Sequence, residues 1–265
     1  MTATEAVARV QVADDEAFVV VRGLMKSFGS QTIYDRFDLD VPRGKFTTIF
    51  GPNGCGKSTL VNMMSGIVPF DGGTIEIGGR DFRSARIGYV FQNYRDSLFP
   101  WWNALKNIEY PLRVRGVSKS LQRERVDALL AKFEITLDLK RRVYELSGGQ
   151  QQLVAILRAL VADPDVLFLD EPFSALDYEM TLYIRDKLQT VFMETGLTTV
   201  LVSHDLEEAV YLADRILLLS RRPTRVVEYI AYDTPRPRTT EILSDPHFIA
   251  TKSRTLDLFR TEMAR

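Results

Sequence analysis

The sequence contains little of what marks secreted or membrane-spanning chains. It has one cysteine in 265 residues, so no disulfide can form within the chain. Its longest unbroken apolar runs are five residues, at Leu153–Leu157 and Ala209–Ala213. A membrane-spanning helix needs roughly 20 apolar residues, so we predict no membrane span. Residues 1–17 carry five charged residues and no apolar stretch, so we expect a flexible leader and no secretory signal.

The chain also lacks an excess of charge of either sign. The net charge is −1, so no basic surplus indicates a nucleic-acid partner. Apolar residues make up 45% of the sequence, which is enough for a substantial core. The length suits one large domain, or one domain with subdomains.

Strand patterns and helix patterns alternate along the chain. Short apolar runs at Phe18–Arg22 and Phe37–Val41 indicate an antiparallel β-subdomain. Later strands are continuously apolar and separated by helices, which is typical of a parallel sheet covered on both faces. We predict further strands at 45–50, 74–77, 87–91, 166–170, 199–203 and 215–219, and helices at 57–65, 148–162, 178–194, 205–213 and 246–261.

Residues from Asn103 to about Val143 have helical periodicity and dense charge, so we interpret them as an insertion into the sheet. The predicted fold class is α/β, with a parallel sheet core, an N-terminal antiparallel β-subdomain and an inserted α-helical subdomain. The predicted organisation is a leader (1–17), a main domain (18–250) containing the helical subdomain (about 93–147), and a C-terminal helical tail (251–265).

A glycine-rich loop joins the strand at 45–50 to the helix at 57–65. Four of its residues fit the pattern G-x-x-x-x-G-K-[ST]. Glycines let backbone N–H groups turn inward around phosphate oxygens, and the helix adds the positive end of its dipole. A chance glycine turn is the alternative, which the flanking strand and helix disfavour. We therefore predict the ATP-binding loop of a RecA-like P-loop NTPase, formed by Gly51, Pro52, Asn53, Gly54, Cys55, Gly56, Lys57, Ser58 and Thr59.

Two carboxylates at the end of a buried strand indicate a metal and a water-activating group. The Lys57 ammonium suits the β- and γ-phosphates, and the Ser58 hydroxyl is a hard oxygen ligand for Mg²⁺. Asp170 and Glu171 follow four apolar residues, and burying carboxylates is costly unless a cation compensates them. Asp170 would hold Mg²⁺ directly or through water, and Glu171 would orient or deprotonate the attacking water. A turn-starting aspartate is the alternative for Asp170 alone.

The pentapeptide that starts at Leu146 carries a family resemblance. Ser147, Gly148, Gly149 and Gln150 precede a predicted helix and resemble the signature motif of ATP-binding-cassette (ABC) ATPases. This is a second anion nest, made of a serine hydroxyl, glycine N–H groups and a helix N-terminus. A serine-capped helix start is the alternative, and it does not explain the glycines. The resemblance implies two subunits packed head to tail, with each ATP between the phosphate loop of one and the Ser147 region of the other.

The same resemblance implies roles for four more residues. Gln92 resembles the glutamine that senses Mg²⁺ and the γ-phosphate, and His204 resembles the switch histidine. Asp177 ends a segment that resembles the D-loop, which touches the opposite subunit. Phe28 resembles the aromatic residue that stacks on adenine, usually a tyrosine, and a core phenylalanine is the alternative. The implied catalytic residues are Glu171, His204 and Gln92, and the implied metal ligands are Ser58, Gln92 and Asp170.

Three further stretches concern the partners. Tyr94–Trp102 is aromatic, and it either contacts a membrane permease or forms the core of the helical subdomain. Leu219–Val227 and Pro235–Arg238 resemble the nitrate, sulfonate and taurine importer ATPases. This resemblance implies a second ATP-binding subunit, expected to be an identical chain, a transmembrane permease and, indirectly, a substrate-binding protein. The chain would lie at the cytoplasmic face of the inner membrane, and we expect no nucleic-acid partner.

Two other classes are alternatives. A cassette ATPase of DNA repair would separate Lys57 from Asp170 by a long coiled coil, but here they are only 113 residues apart, with no heptad array between them. Ribosome-acting members carry two cassettes in one chain, and this chain has one. A phosphotransferase would need an acceptor pocket within the monomer and would not need the second anion nest.

Overall fold

The computed structural model describes residues 16–264, so residues 1–15 of the predicted leader lie outside the described residues. The strands of this part are β1 (Ala17–Phe28), β2 (Gln31–Pro42), β3 (Phe46–Phe50), β4 (Gly72–Ile77), β5 (Arg80–Asp81), β6 (Ile87–Val90), β7 (Val166–Asp170), β8 (Thr198–Val202), β9 (Arg215–Leu219) and β10 (Val226–Ala231). Its α-helices are α1 (Lys57–Met64), α2 (Tyr94–Ser97), α3 (Ala104–Val114), α4 (Lys119–Lys132), α5 (Gly148–Leu160), α6 (Tyr178–Thr195), α7 (Leu206–Leu212) and α8 (Pro246–Met263). None of these helices is long and apolar enough to cross a membrane.

A six-stranded sheet forms the core and confirms the predicted fold class. Its strand order is β10-β9-β3-β8-β7-β6, and all neighbours are parallel except β10 and β9. Every residue of β3, β7 and β8 is buried, because helices cover one face of the sheet, and α1 together with β1, β2 and β4 covers the other. The carboxyl ends of β3, β6, β7 and β8 therefore meet at one edge, which is where open α/β sheets bind ligands.

The N-terminal antiparallel sheet is larger than the sequence predicted. Its order is β2-β1-β4-β5, and β1 and β2 are 12 residues each. The sequence pattern ends at Arg22 because Gly23 has a left-handed φ of 58° and shifts the register, so the alternation breaks while the strand continues. The Gly23 N–H donates to Asp38 Oδ1 at 2.7 Å, which supports the irregularity.

The inserted helical region differs from the prediction of helix from Asn103 to about Val143. Helices α3 and α4 are separated at Gly116, which has a φ of 73°. After Phe133 the chain forms turns and a short 3₁₀ helix at Val143–Glu145. The buried side chains of Ile135 and Leu139 anchor these turns to the core, so apolar residues there do not signify a helix. Helix α5 packs against α3 and α2. It begins directly after residue 147, the predicted end of the subdomain.

A buried arginine closes the C-terminal part of the fold. Arg238 is fully enclosed, and its guanidinium donates to the carbonyls of Tyr211 at 2.8 Å and Ala213 at 2.7 Å, at the end of α7. Asp214 Oδ1 lies 3.5 Å from the same group. Burial and then the neighbouring Arg236 lower the pKa of Arg238 to about 10, so it remains charged at neutral pH. Helix α8 follows and is continuous across residue 250, where the sequence placed a domain boundary.

Candidate functional site

The glycine-rich loop lies between the end of β3 and the start of α1. Gly54 and Gly56 have left-handed φ values of 73° and 117°. A Cβ atom on Gly56 would lie 2.6 Å from Cγ2 of Ile33, so no side chain fits there. The hydroxyl of Tyr34 donates to the Gly56 carbonyl at 3.0 Å and ties the loop to the antiparallel sheet. The loop is therefore held in a conformation that only glycine adopts readily.

Lys57 is buried, and its ammonium lies over the loop. Nζ donates to the carbonyls of Gly51 at 2.9 Å and Pro52 at 3.1 Å. This places a cation beside the N–H groups at the start of α1, which together favour an anion. Cys55 is also buried within the loop. Burial raises the pKa of its thiol, while the charges of Lys57 and Arg222 oppose this change, so Cys55 acts as a packing residue.

Ser58 and Asp170 are brought together as the sequence predicted for a metal site. The Ser58 hydroxyl donates to Asp170 Oδ1 at 2.8 Å. Burial raises the pKa of Asp170, and the hydrogen bonds from Ser58 and Tyr89 oppose this shift. The Tyr89 hydroxyl lies 3.3 Å from Asp170 Oδ2 and 2.7 Å from Oδ1 of Asn62. Sequence reasoning missed Tyr89 because a tyrosine within a strand carries no motif.

The donor set at Asp170 fits Mg²⁺ completed by phosphate oxygens. Among residues 16–264, no group of three or more His, Cys, Asp or Glu side chains is arranged to hold a metal ion. Mg²⁺ is typically held by one or two carboxylates together with substrate phosphates and water. A buried carboxylate and a serine hydroxyl beside an anion-binding loop supply the protein's share of such a shell.

Glu171, Gln92 and His204 converge at the same edge of the sheet. Glu171 Oε2 accepts a hydrogen bond from Gln92 Nε2 at 2.9 Å and lies 2.9 Å from His204 Nδ1. Glu171 has a φ of 45°, a left-handed conformation that costs a non-glycine residue roughly 1–2 kcal/mol. The strained backbone and two side-chain contacts aim this carboxylate at the loop. Gln92 contacts Glu171 here rather than Ser58 or Asp170.

A cavity of 450 Å³ lies between the loop and these side chains. It is lined by Asn53, Gly54, Gly56, Lys57, Ser58, Thr59, Gln92, Glu171, His204 and Arg222. The sequence predicted no role for Arg222. Its segment, Leu219–Val227, was noted only because it resembles importer ATPases. Phe28 and Asp177 do not line this cavity, and neither do the predicted signature residues 147–150.

Ser147 caps α5 in a reciprocal arrangement. The Gln150 N–H donates to Ser147 Oγ at 3.3 Å, and the Ser147 N–H donates to Gln150 Oε1 at 3.1 Å. The structure also gives packing reasons for both glycines. A Cβ on Gly149 would lie 2.1 Å from the Met180 side chain, and one on Gly148 would lie 3.0 Å from the Tyr94 hydroxyl. The serine-capped helix start therefore explains more of this motif than the sequence suggested.

Asp177 and Phe28 occupy two separate exposed positions. Asp177 Oδ1 accepts a hydrogen bond from the Met180 N–H at 2.8 Å and caps α6. Phe28 ends β1 and is 52% exposed, so the alternative of a core phenylalanine is wrong. The Lys26 ammonium lies over the Phe28 ring, 4.8 Å from the ring centroid.

The comparisons with known proteins agree with this geometry. Residues 34–174 match the protein family described as ABC transporter. The chain is 37% identical over 244 residues to the taurine import ATP-binding protein TauB of Escherichia coli K12, covering 88% of this chain and 93% of that protein. Its fold is similar to a dimeric post-hydrolysis structure of the ATP-binding cassette MJ0796 bound to ADP and Pi. That similarity has a TM-score of 0.71 at 29% identity, and covers 82% of this chain and 100% of that one.

A second solved structure has the same architecture. It is cbiO1 of Clostridium perfringens, part of the ABC transporter complex cbiONQ, with a TM-score of 0.74 at 25% identity. The alignment covers 94% of this chain and 99% of cbiO1. This chain therefore belongs to the ABC transporter family. It is an ATP-binding ATPase of that family, and the sequence-based resemblance to taurine-type importer ATPases is confirmed.

Proposed function

We propose that the chain couples MgATP-driven closure of a two-subunit assembly to the import of a small solute through a separate membrane permease. The observation that carries this proposal is the position of Glu171. Its carboxylate is held by Gln92 and His204 at the mouth of the cavity formed by the phosphate loop. A carboxylate fixed there suits hydrolysis of a bound triphosphate rather than storage of the nucleotide.

The phosphates and the metal would be held by residues that already face one another. Lys57 and the N–H groups of the loop would bind the phosphates, and Phe28 would stack on the adenine ring. Ser58 and Asp170 would hold Mg²⁺, with Gln92 joining them if its amide turns from Glu171. Bound Mg²⁺ would neutralise charge on the phosphate oxygens. Glu171 would orient or deprotonate the attacking water, and His204 would hold Glu171 and contact the terminal phosphate.

A second copy would complete the site. Ser147, Gly148, Gly149 and Gln150 would form an anion nest at the start of α5, and no α5 residue lines the phosphate cavity of the same chain. An anion nest without its own phosphate is suited to a nucleotide held by another subunit. Asp177 lies exposed at the start of α6, where a facing subunit could reach it. ATP can drive closure only by binding the closed pair more tightly than the open one.

The transported solute does not touch this chain, so its class is inferred from relatives. TauB is named for taurine import and shares 37% of the aligned residues. We therefore propose a small solute such as taurine, another sulfonate or nitrate. A substrate-binding protein would deliver it to the outer side of the permease, while this chain would lie at the cytoplasmic face of the inner membrane.

An aromatic cluster on the helical region is the proposed permease contact. Phe99 packs against Trp102 with ring centroids 4.6 Å apart and against Tyr110 at 4.7 Å. Trp101 lies beside them and is 65% exposed. The stretch is therefore compatible with both alternatives raised by the sequence, a core of the helical subdomain and a permease contact. Phe99 is packed among aromatic rings, whereas Trp101 is exposed. An exposed tryptophan over a packed aromatic base is typical of a protein-binding anchor.

The function is tested by reconstituting this chain with its permease and binding protein in vesicles. We expect taurine, nitrate or a sulfonate, supplied with the binding protein, to raise ATP hydrolysis, and Trp101→Ala to weaken co-purification with the permease. Tyr144→Ala is the matched control, because Tyr144 is 62% exposed outside the aromatic cluster. Hydrolysis that no solute stimulates would contradict import, and equal losses in both variants would contradict the aromatic contact.

A further inference from the structure

The loop after β9 is fastened to the phosphate loop. The Thr224 N–H donates to the Ile33 carbonyl at 2.8 Å, and its hydroxyl donates to the Cys55 carbonyl. Ser220 Oγ accepts a hydrogen bond from the Arg225 N–H at 2.9 Å and closes the loop on itself. Thr224 and Ser220 are both buried. The backbone of this loop is thus fixed relative to the phosphate site.

The fixed backbone presents Arg222 to the phosphate cavity. Its Nη2 atom would lie 3.8 Å from a Cβ built on Gly54, at the middle of the phosphate loop. It lines the cavity together with Lys57, Glu171 and His204. Lys57 donates instead to the carbonyls of Gly51 and Pro52 at the start of the loop, so the two cations lie against different residues of the loop.

Arg222 also differs from three other arginines of the C-terminal region in its surroundings. Arg225 pairs with Glu262 at 2.8 Å, Arg215 with Asp233 at 2.6 Å, and Arg236 with Asp214 at 2.7 Å. Within residues 16–264, the guanidinium of Arg222 has no hydrogen-bond or ion-pair partner. The cavity lining holds two cations, Lys57 and Arg222, and one carboxylate, Glu171, so Arg222 adds to the preference of the lining for a polyanion.

We propose that Arg222 binds the terminal phosphate of ATP as a second cation, in addition to Lys57. This inference rests on the proposed function of the site. A guanidinium can donate two parallel hydrogen bonds to phosphate oxygens, and charge-assisted bonds of this kind are strong. Its position beside His204 and Glu171 favours the terminal phosphate, because those side chains lie where the attacking water would stand.

The test measures ATP and ADP affinity of the monomer by calorimetry, at concentrations where light scattering shows no dimer. We expect Arg222→Gln to weaken ATP binding about tenfold and ADP binding less than about twofold. Arg222→Lys should lie between this variant and the wild type. Arg221→Gln is the matched control, because both arginines are exposed and line the adjoining cavity near Phe259, but only Arg222 also lines the phosphate cavity.

Three results would overturn the inference. Equal losses for ATP and ADP would place the guanidinium on an inner phosphate. Unchanged affinities with lost ATP-dependent dimerisation would assign Arg222 to an acidic group of the second copy. Unchanged affinities and unchanged dimerisation would make it a solvated surface residue. Failure of the wild-type chain to bind ATP would contradict the proposed function itself, which is a separate outcome.

Discussion

Nδ1 of His204 lies 2.9 Å from Oε2 of Glu171, although the two residues follow different strands. The same oxygen accepts a hydrogen bond from Gln92, which follows a third strand. Three neighbouring strand ends therefore fix one carboxylate relative to the phosphate loop. Movement of either Gln92 or His204 would remove one of the two contacts that hold the Glu171 carboxylate in place.

Glu171→Gln should abolish most of the ATP turnover. The amide keeps the shape of the side chain but cannot accept a proton from water, and loss of a general base costs about 10²- to 10⁴-fold. We expect the variant to retain ATP and accumulate as an ATP-bound dimer. Phosphate release and size-exclusion chromatography with ATP measure the two effects. The control is Glu194→Gln, an exposed carboxylate at the end of α6, and normal turnover in Glu171→Gln would remove Glu171 from its assigned role.

Ser147→Arg should leave ATP binding by the monomer intact and prevent closure of the dimer. A large cation at this helix N-terminus would block the approach of a nucleotide held by another subunit, whereas the phosphate cavity of the same chain is lined by other residues. Loss of the cap also costs the fold about 1 kcal/mol. Asn103→Arg controls for that loss, since Asn103 Oδ1 caps α3 by accepting a hydrogen bond from the Lys106 N–H at 3.0 Å. An active, closed dimer of Ser147→Arg would refute the two-subunit site.

Arg238→Ala should destabilise the fold by about 3–5 kcal/mol, because it leaves Asp214 and several α7 carbonyls with fewer buried partners. Urea unfolding measures the change. Arg254→Ala is the contrasting variant: Arg254 pairs with Glu228 at the surface, and such pairs contribute at most about 1 kcal/mol. Similar losses in the two variants would contradict a structural role for the buried arginine.

Glu208 should make stability fall as pH rises. Burial raises the pKa of Glu208 to about 6, despite the hydrogen bond from Ser203. The folded state therefore binds this proton more tightly than the unfolded state, so the contribution is complete below about pH 4.5 and is lost as pH rises through about 6. Relative to Glu208→Gln, the wild type should lose about 1–2 kcal/mol between pH 4 and pH 7.5. The expectation would be contradicted if the difference in unfolding free energy between the wild type and Glu208→Gln were the same at both pH values.

The local parts of the site were predictable from sequence. Motifs whose members are close in the chain indicated the phosphate loop and the pair Asp170 and Glu171. The family resemblance and their positions at strand ends indicated Gln92 and His204. Tyr89, Thr224 and Arg238 were missed because their partners are distant in sequence. Thr224, for example, meets Cys55 across 169 residues, and no spacing rule predicts that contact.

The errors of the sequence reasoning have local physical causes. Strand β1 passes through Gly23 by changing register, so alternation ends before the strand does. The region after Phe133 has the apolar residues of a helix, but they anchor turns against α3 and α5. Periodicity reports burial along a regular element, and it fails where single residues are buried from irregular backbone.

The contact between Gly149 and Met180 gives the fold a route for communication. Met180 lies against the glycine at the start of α5, and its own N–H is held by Asp177. Asp177 closes the short segment that begins at Glu171. A nucleotide engaged at the start of α5 would therefore press on the same segment that carries Glu171, the carboxylate that we propose activates water. Two ATP sites in a closed pair would be mechanically coupled through one methionine, so the occupancy of one site would influence the timing of hydrolysis at the other.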